Sequence, residues 1–244
     1  LLGQILAQKP RHVYFDMPIA QGADEAGDKA FFSTVAAAGE DITLVMRAEN
    51  DRSSEFGSVV PPGDLVPAHT QLAVSGWSVN FMRYADWAPA RMVIAGKVYP
   101  AVATLELGEF LSGHRISPDF AIDPATIPVV DSDDLSAGRA GIPSLAGRTV
   151  YVTATNPSLG SAVGYYGHGR VPSAVADISG AAGMRKGPLI DLGSLPLLIV
   201  FFVMVLFGHN TRSGPLKAVI YTALAATIVA LPAALRDMRI LCGN

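Results

Sequence analysis

Apolar and polar positions alternate with two different periods along the first 190 or so residues, after which charged positions nearly vanish. Short apolar runs closing on a polar residue predict strands. They are His12-Val13-Tyr14-Phe15 ending on Asp16, residues 42–46, 74–82 and 91–94, shorter runs at 120–122 and 127–130, and RTVYVTAT at 148–155, the strongest of them. Helical periodicity fills the gaps. Leu1, Leu2, Ile5 and Leu6 predict a helix over 1–8 that Pro10 stops. Residues 24–38 place Phe31, Phe32 and Val35 on one face, with Asp24 as the N-cap and Gly39 as the stop. Val102, Leu105 and Leu107 mark a helix over 100–111, Ser132-Asp133-Asp134-Leu135 opens a helical turn, and small residues over 173–183 form a last helix. Residues 84–89 are expected to turn between two strands, and the glycine-rich stretch 164–169 to be an ordinary flexible loop. This βαβ alternation predicts an α/β domain on a mixed, mostly parallel sheet flanked by helices.

The chain then changes character. Residues 192–208 and 218–235 carry no charge, and at a rise of about 1.5 Å per residue each covers roughly 25–27 Å of a hydrocarbon core about 30 Å thick. The intervening 209–217 is polar and turn-rich (Asn210, Ser213-Gly214-Pro215). The pattern predicts an α-helical transmembrane hairpin after the α/β domain; a pair of buried helices is the alternative. The expected organisation is a domain over 1–188, spans over 189–209 and 218–236, a loop over 210–217, and a connection over 237–244 leading to a further segment. A start on Leu1 inside an apolar-periodic segment, and a stop at Asn244, lead us to expect a piece of a longer polypeptide.

Charge sharpens the partition. Residues 1–191 hold 14 Lys/Arg against 20 Asp/Glu, a net of −6, whereas 192–244 hold four against one, a net of +3. An acidic domain argues against a nucleic-acid partner, which requires a concentrated basic surface. The one cysteine, Cys242, excludes internal disulfides and cysteine-based zinc sites.

Candidate chemistry is sparse. Asp16 closes a strand, and ligands of open α/β sheets sit beyond the carboxyl ends of strands, so Asp16 falls on the expected functional rim; a turn former or helix cap is the alternative. Asp86 and Arg91 stand five apart across an expected turn, as a structural ion pair or as a ligand clamp. The histidines (His12, His69, His114, His168, His209) show no metal-ligand spacing, so neither metal nor cofactor is expected. No G-x-S-x-G nucleophile elbow occurs.

The order of these segments resembles the CHASE2 domain, an extracytoplasmic sensory module of bacterial membrane receptors. The likeness rests on VYFDMPIA with Asp16, DEAGDKAFFSTVAAAG, ITLVM, Gly76-Trp77-Ser78-Val79-Asn80, and Asp86-Trp87-Ala88-Pro89-Ala90-Arg91. It continues through Tyr99-Pro100-Ala101-Val102-Ala103-Thr104-Leu105-Glu106-Leu107, Ile127-Pro128-Val129-Val130 and Leu145-Ala146-Gly147-Arg148-Thr149-Val150-Tyr151-Val152-Thr153. Two departures fall in one helix: Ser173 and Asp177 stand where the family pattern has Gly and His. If this region contacts ligand in the family, the departures imply a different ligand here, or none.

The resemblance implies an input module, without chemistry of its own, anchored in the bacterial inner membrane with its domain outside the cytoplasm. It relays a small ligand or envelope signal to an output domain such as a histidine kinase, an adenylate cyclase, or a diguanylate cyclase or phosphodiesterase. Asp16, Asn80, Asp86 and Arg91 become candidates for ligand contact, and Gly187, Pro188 and Gly193 for a signal-relay joint. Membrane lipid and a second copy in a homodimer are the expected partners. An envelope assembly subunit and a membrane-anchored enzyme are the alternatives.

Overall fold

The computed structural model describes residues 1–17, 24–47, 66–79, 83–94, 96–105, 115–154, 162–185, 190–191, 195–237 and 240–241. The chain divides into two compact units, Leu1–Arg185 and Lys186–Asn244.

The first unit opens with α1 (Leu2–Ala7), β1 (His12–Asp16), α2 (Glu25–Ala38), β2 (Ile42–Arg47) and β3 (Gln71–Ser75). Short strands follow: β4 (Ser78–Val79), β5 (Ala85–Pro89), β6 (Arg91–Ile94) and β7 (Lys97–Pro100), then α3 (Val102–Leu105) and β8 (Arg115–Ile116). It closes with α4 (Ser132–Ser136), β9 (Thr149–Thr153), β10 (Ala162–Tyr165), β11 (Gly169–Pro172) and α5 (Ser173–Arg185).

Its centre is a parallel four-stranded sheet in the order β3-β2-β1-β9. The register pairs Val13 with Ile42 and with Val150, and Asp16 with Thr153. Alternation along β1 sends Val13 to one face, where it packs with Ile5, Phe32, Val35, Ile42, Leu44 and Val152. Tyr14 goes to the other face, with Val45, Ala73 and Val102. The helices end where the sequence expects. Lys9 takes a left-handed φ of 56° ahead of Pro10, and Gly39 (φ 58°) ends α2. Asp24 does hold the N-cap position of α2, but its side chain makes no capping hydrogen bond.

Several expectations need correction. The run 74–82 is not one strand, because the chain breaks after Ser75 and buries the Trp77 side chain before β4. Residues 85–89 are not a turn but β5, paired antiparallel to β4 and β8. The hairpin lies one step later, between β6 and β7, and turns through Gly96 (φ 77°). Residues 120–122 and 127–130 form no strand. Asp123 caps a 3-10 turn over Pro124–Thr126 and Asp131 caps α4, while prolines 124 and 128 lack the N–H a ladder needs. The glycine-rich stretch is the hairpin β10–β11, turning through Gly167 (φ 81°) and Gly169 (φ 75°). Of the helix expected over 100–111, Pro100 instead ends β7, α3 covers Val102–Leu105, and 106–111 lie outside the described residues.

The second unit contains β12 (Ile190–Asp191), α6 (Leu195–Asn210), α7 (Gly214–Asp237) and β13 (Ile240–Leu241); β12 and β13 pair in parallel. The two helices form a hairpin in which Gly208 lets Tyr221 approach, since a β-carbon there would stand 2.9 Å from the Tyr221 ring. Here the largest expectation fails. Among the described residues, no helix is long and apolar enough to cross a membrane, which overturns the transmembrane hairpin assigned to 189–209 and 218–236. Of the apolar run at 192–208, residues 195–208 lie in α6, whose 16 described residues measure about 24 Å at the α-helical rise, against a hydrocarbon core of about 30 Å.

Candidate functional site

Parallel β-strands all deliver their last residues to one edge of the sheet. The chain places β2 and then β3 on one side of β1 and β9 on the other, so the direction of strand order switches between β1 and β9. The crevice beyond the carboxyl ends at such a switch is where open α/β sheets bind ligands. Asp16 ends β1 there, paired in register with Thr153 at the end of β9.

Asp16 is buried, with 1% of its surface exposed. The Ser173 hydroxyl donates to its Oδ2 at 2.9 Å and the Thr153 hydroxyl at 3.4 Å. Ser173 is the first residue of α5, so the carboxylate also lies at the helix end that favours negative charge. One turn along the same helix face comes Asp177, 3% exposed. It accepts from Ser75 Oγ at 2.7 Å and from Trp77 Nε1 at 3.0 Å. Thus Asp16, at the end of β1, and Ser75, at the end of β3, each bond a residue in the first two turns of α5.

Burial pushes the Asp177 carboxyl up from 3.8 to about 8, and the negative charge of Asp16 pushes it the same way; the Ser75 and Trp77 donors act against them. Asp177 is therefore mostly a neutral acid at pH 7. The helix seats deeply because it is built from small residues. Ala174, Ala176, Ser179, Gly180, Ala181 and Gly183 are all buried, and Trp77, Ile116 and Ala88 pack beside them. Its far side is fastened by Tyr165, whose hydroxyl lies 2.9 Å from the Asp119 carbonyl, 3.1 Å from the Ile122 carbonyl and 3.0 Å from Ser179 Oγ.

The structure distributes the expected site residues unevenly. Asp16 lies at the centre of the cluster. Asp86 is half-buried on β5 and Arg91 exposed at the start of β6, strands that belong to two different small sheets. Asn80, Gly187, Pro188 and Gly193 lie outside the described residues. Sequence reasoning marked Ser173 and Asp177 only as departures from the family pattern and did not count them among the candidate ligand contacts, although two polar residues at i and i+4 in a small-residue helix were a usable signal. Among the described residues, no group of three or more His, Cys, Asp or Glu is placed to hold a metal ion.

Comparison with known proteins adds little. No family model matches the chain, and no solved structure matches it. A stretch of 77 residues is 35% identical to human lysine-specific demethylase 5D, covering 30% of this chain and 5% of that protein.

Proposed function

We propose that the first unit is a non-catalytic sensory input domain. It receives a small ligand at the carboxyl edge of its parallel sheet and reports occupancy through α5. The observation that carries this reading is the attachment of α5 to that edge through the two buried acids and their Ser173, Ser75 and Trp77 partners. The chain continues from α5 directly into the second unit, so a ligand that alters these bonds alters the element best placed to pass the change on. A ligand shifts such an equilibrium only by its differential affinity for the two arrangements. An enzyme is disfavoured because, among the described residues, both acids are engaged by donors within the fold and the serine hydroxyls that pair with them, Ser173 and Ser75, are themselves buried.

The test is thermal unfolding of the full chain at one pH against a panel of amino acids, dicarboxylates, hexoses and nucleosides. The reading expects at least one compound to raise the Tm and to slow amide exchange in α5, with both effects lost in Asp16→Asn. A panel without effect, or turnover of any panel compound, overturns it. An assembly subunit is the second reading. It is favoured by the apolar side of α6, where Leu198, Phe202 and Leu206 are exposed, and a chain that stays monomeric at all concentrations excludes it.

A further inference from the structure

Two carboxyl groups buried at one edge of the sheet, both tied to α5 or borne by it, pose an electrostatic problem. Each ionised carboxylate needs water, a cation or several donors, and two like charges side by side cannot both be ionised cheaply. The donors here are divided: Ser173 and Thr153 serve Asp16, while Ser75 and Trp77 serve Asp177. For Asp177 the neighbouring charge is of the same sign, that of Asp16.

Among the described residues, the elements packed around α5 bring Asp177 no compensating cation. β3 and α3 contain no charged residue. Arg115 of β8 is exposed, with its guanidinium 4.3 Å from the centre of the Trp87 ring. Arg170 of β11 is exposed and donates to the Ala162 carbonyl. Tyr165 of β10 is engaged with the Asp119 and Ile122 carbonyls. On α5 itself Arg185 lies two turns further on and is exposed. β5 adds the half-buried acid Asp86, which is of the wrong sign.

We infer that Asp16 and Asp177 form a proton-operated latch: one proton on Asp177 keeps α5 closed on the strand ends, and its departure loosens the first two turns of the helix. The inference deepens the reading of α5 as a reporter, and rests on it, by naming what regulates that element. With the proton in place, Asp177 is a neutral acid that tolerates burial beside ionised Asp16. Without it, two negative charges share a dry cluster, and the lower-energy arrangement admits water by releasing Ser173 and Asp177 from the sheet edge. The upward displacement of the Asp177 carboxyl to about 8 puts this change within reach of moderately alkaline conditions.

The experiment is amide hydrogen exchange of the full chain from about pH 6 to about pH 9, corrected for the intrinsic pH dependence of exchange and read separately for α5 and for β1 and β2. The latch expects protection over the first half of α5 to fall about tenfold or more across this range and to be lost at lower pH than that of β1 and β2, which follow global stability alone. Asp177→Asn, which carries no ionisable proton, flattens the profile. Asp16→Asn, which removes the repelling charge and leaves Asp177 titratable, lets Asp177 ionise at lower pH while still buried, so the fall in protection becomes smaller and ends at lower pH. A wild-type profile that is already flat, or an Asp16→Asn profile unmoved from wild type, overturns the latch. If Asp177→Asn does not fold, the wild-type and Asp16→Asn profiles decide alone. The ligand panel is read at one pH and this titration without ligand, so the sensory reading and the latch fail separately.

Discussion

The Trp77 indole occupies the space that a side chain on Gly180 would need: a β-carbon there would stand 2.9 Å from the far corner of the ring and 2.9 Å from the Ile116 side chain. The absence of a single methyl group thus lets α5 press close enough for Trp77 Nε1 to reach Asp177 at 3.0 Å. Gly180→Ala is expected to destabilise the first unit by about 1–3 kcal/mol, the usual cost of forcing a methyl into a packed site. Because Trp77 is held by its hydrogen bond, the ring has little freedom to retreat. Thermal unfolding reads this as a Tm lower by several degrees, and an unchanged Tm would show that the helix is less tightly seated than the distances indicate.

Trp77→Phe separates packing from hydrogen bonding. It keeps most of the ring and removes the Nε1 donor to Asp177, leaving Ser75 as the remaining partner. A lost bond to a buried polar group costs about 1–3 kcal/mol. The loss is expected to grow with pH, since an ionised Asp177 needs its donors more than a neutral one does. Denaturant unfolding at several pH values measures this directly, and a loss that is constant with pH would contradict it.

How much of this was legible in the sequence depends on the kind of signal. β1, β2, β9, α2 and α5 were each written in a local period, and the structure places them close to where the pattern put them. Asp16 was legible because a polar residue closing a buried strand marks the rim of a parallel sheet. Its partners were not, because Ser173 lies 157 positions away and Asp177 meets Ser75 and Trp77 across about a hundred. The break after Ser75 is set by the burial of Trp77 against α5, a tertiary demand that outweighed the local strand pattern. The transmembrane hairpin failed for a related reason: an uncharged run measures composition, whereas crossing requires one helix that is both long and apolar enough, and none of the described residues form one.

Tyr165→Phe tests the fastening on the other side of α5. The hydroxyl lies within hydrogen-bonding distance of two carbonyls and Ser179 Oγ, and Ser179 also donates to the Asp119 carbonyl at 3.0 Å. Removing it leaves Asp119 with one side-chain donor and leaves the Ile122 carbonyl without this one. A loss of about 1–3 kcal/mol is expected. The ring stays packed against Phe120 in a tilted arrangement, 5.0 Å between centres, so the damage should be local. Amide exchange should accelerate around 119–123 while β1 and β2 remain protected; uniform acceleration would show that the hydroxyl supports the whole fold instead.

The pH dependence of stability follows from the direction of the Asp177 shift. Its carboxyl rises from 3.8 to about 8 on folding, first through burial and then through the charge of Asp16. Between those values the folded protein holds a proton that the unfolded chain has released. Stability from this group is therefore complete below about pH 4 and is lost progressively as the pH rises towards about 8, at about 1.4 kcal/mol per pH unit for one proton. This is opposite in sign to the usual ion-paired carboxylate, which stabilises at high pH. Denaturant unfolding from about pH 5 to about pH 8 should show wild-type stability falling along this slope, with the slope removed in Asp177→Asn. The amide can accept only through one oxygen, so the variant also loses one of the Ser75 and Trp77 bonds and starts from a lower stability. The two curves should converge as the pH rises, and parallel curves would show that another group sets the slope.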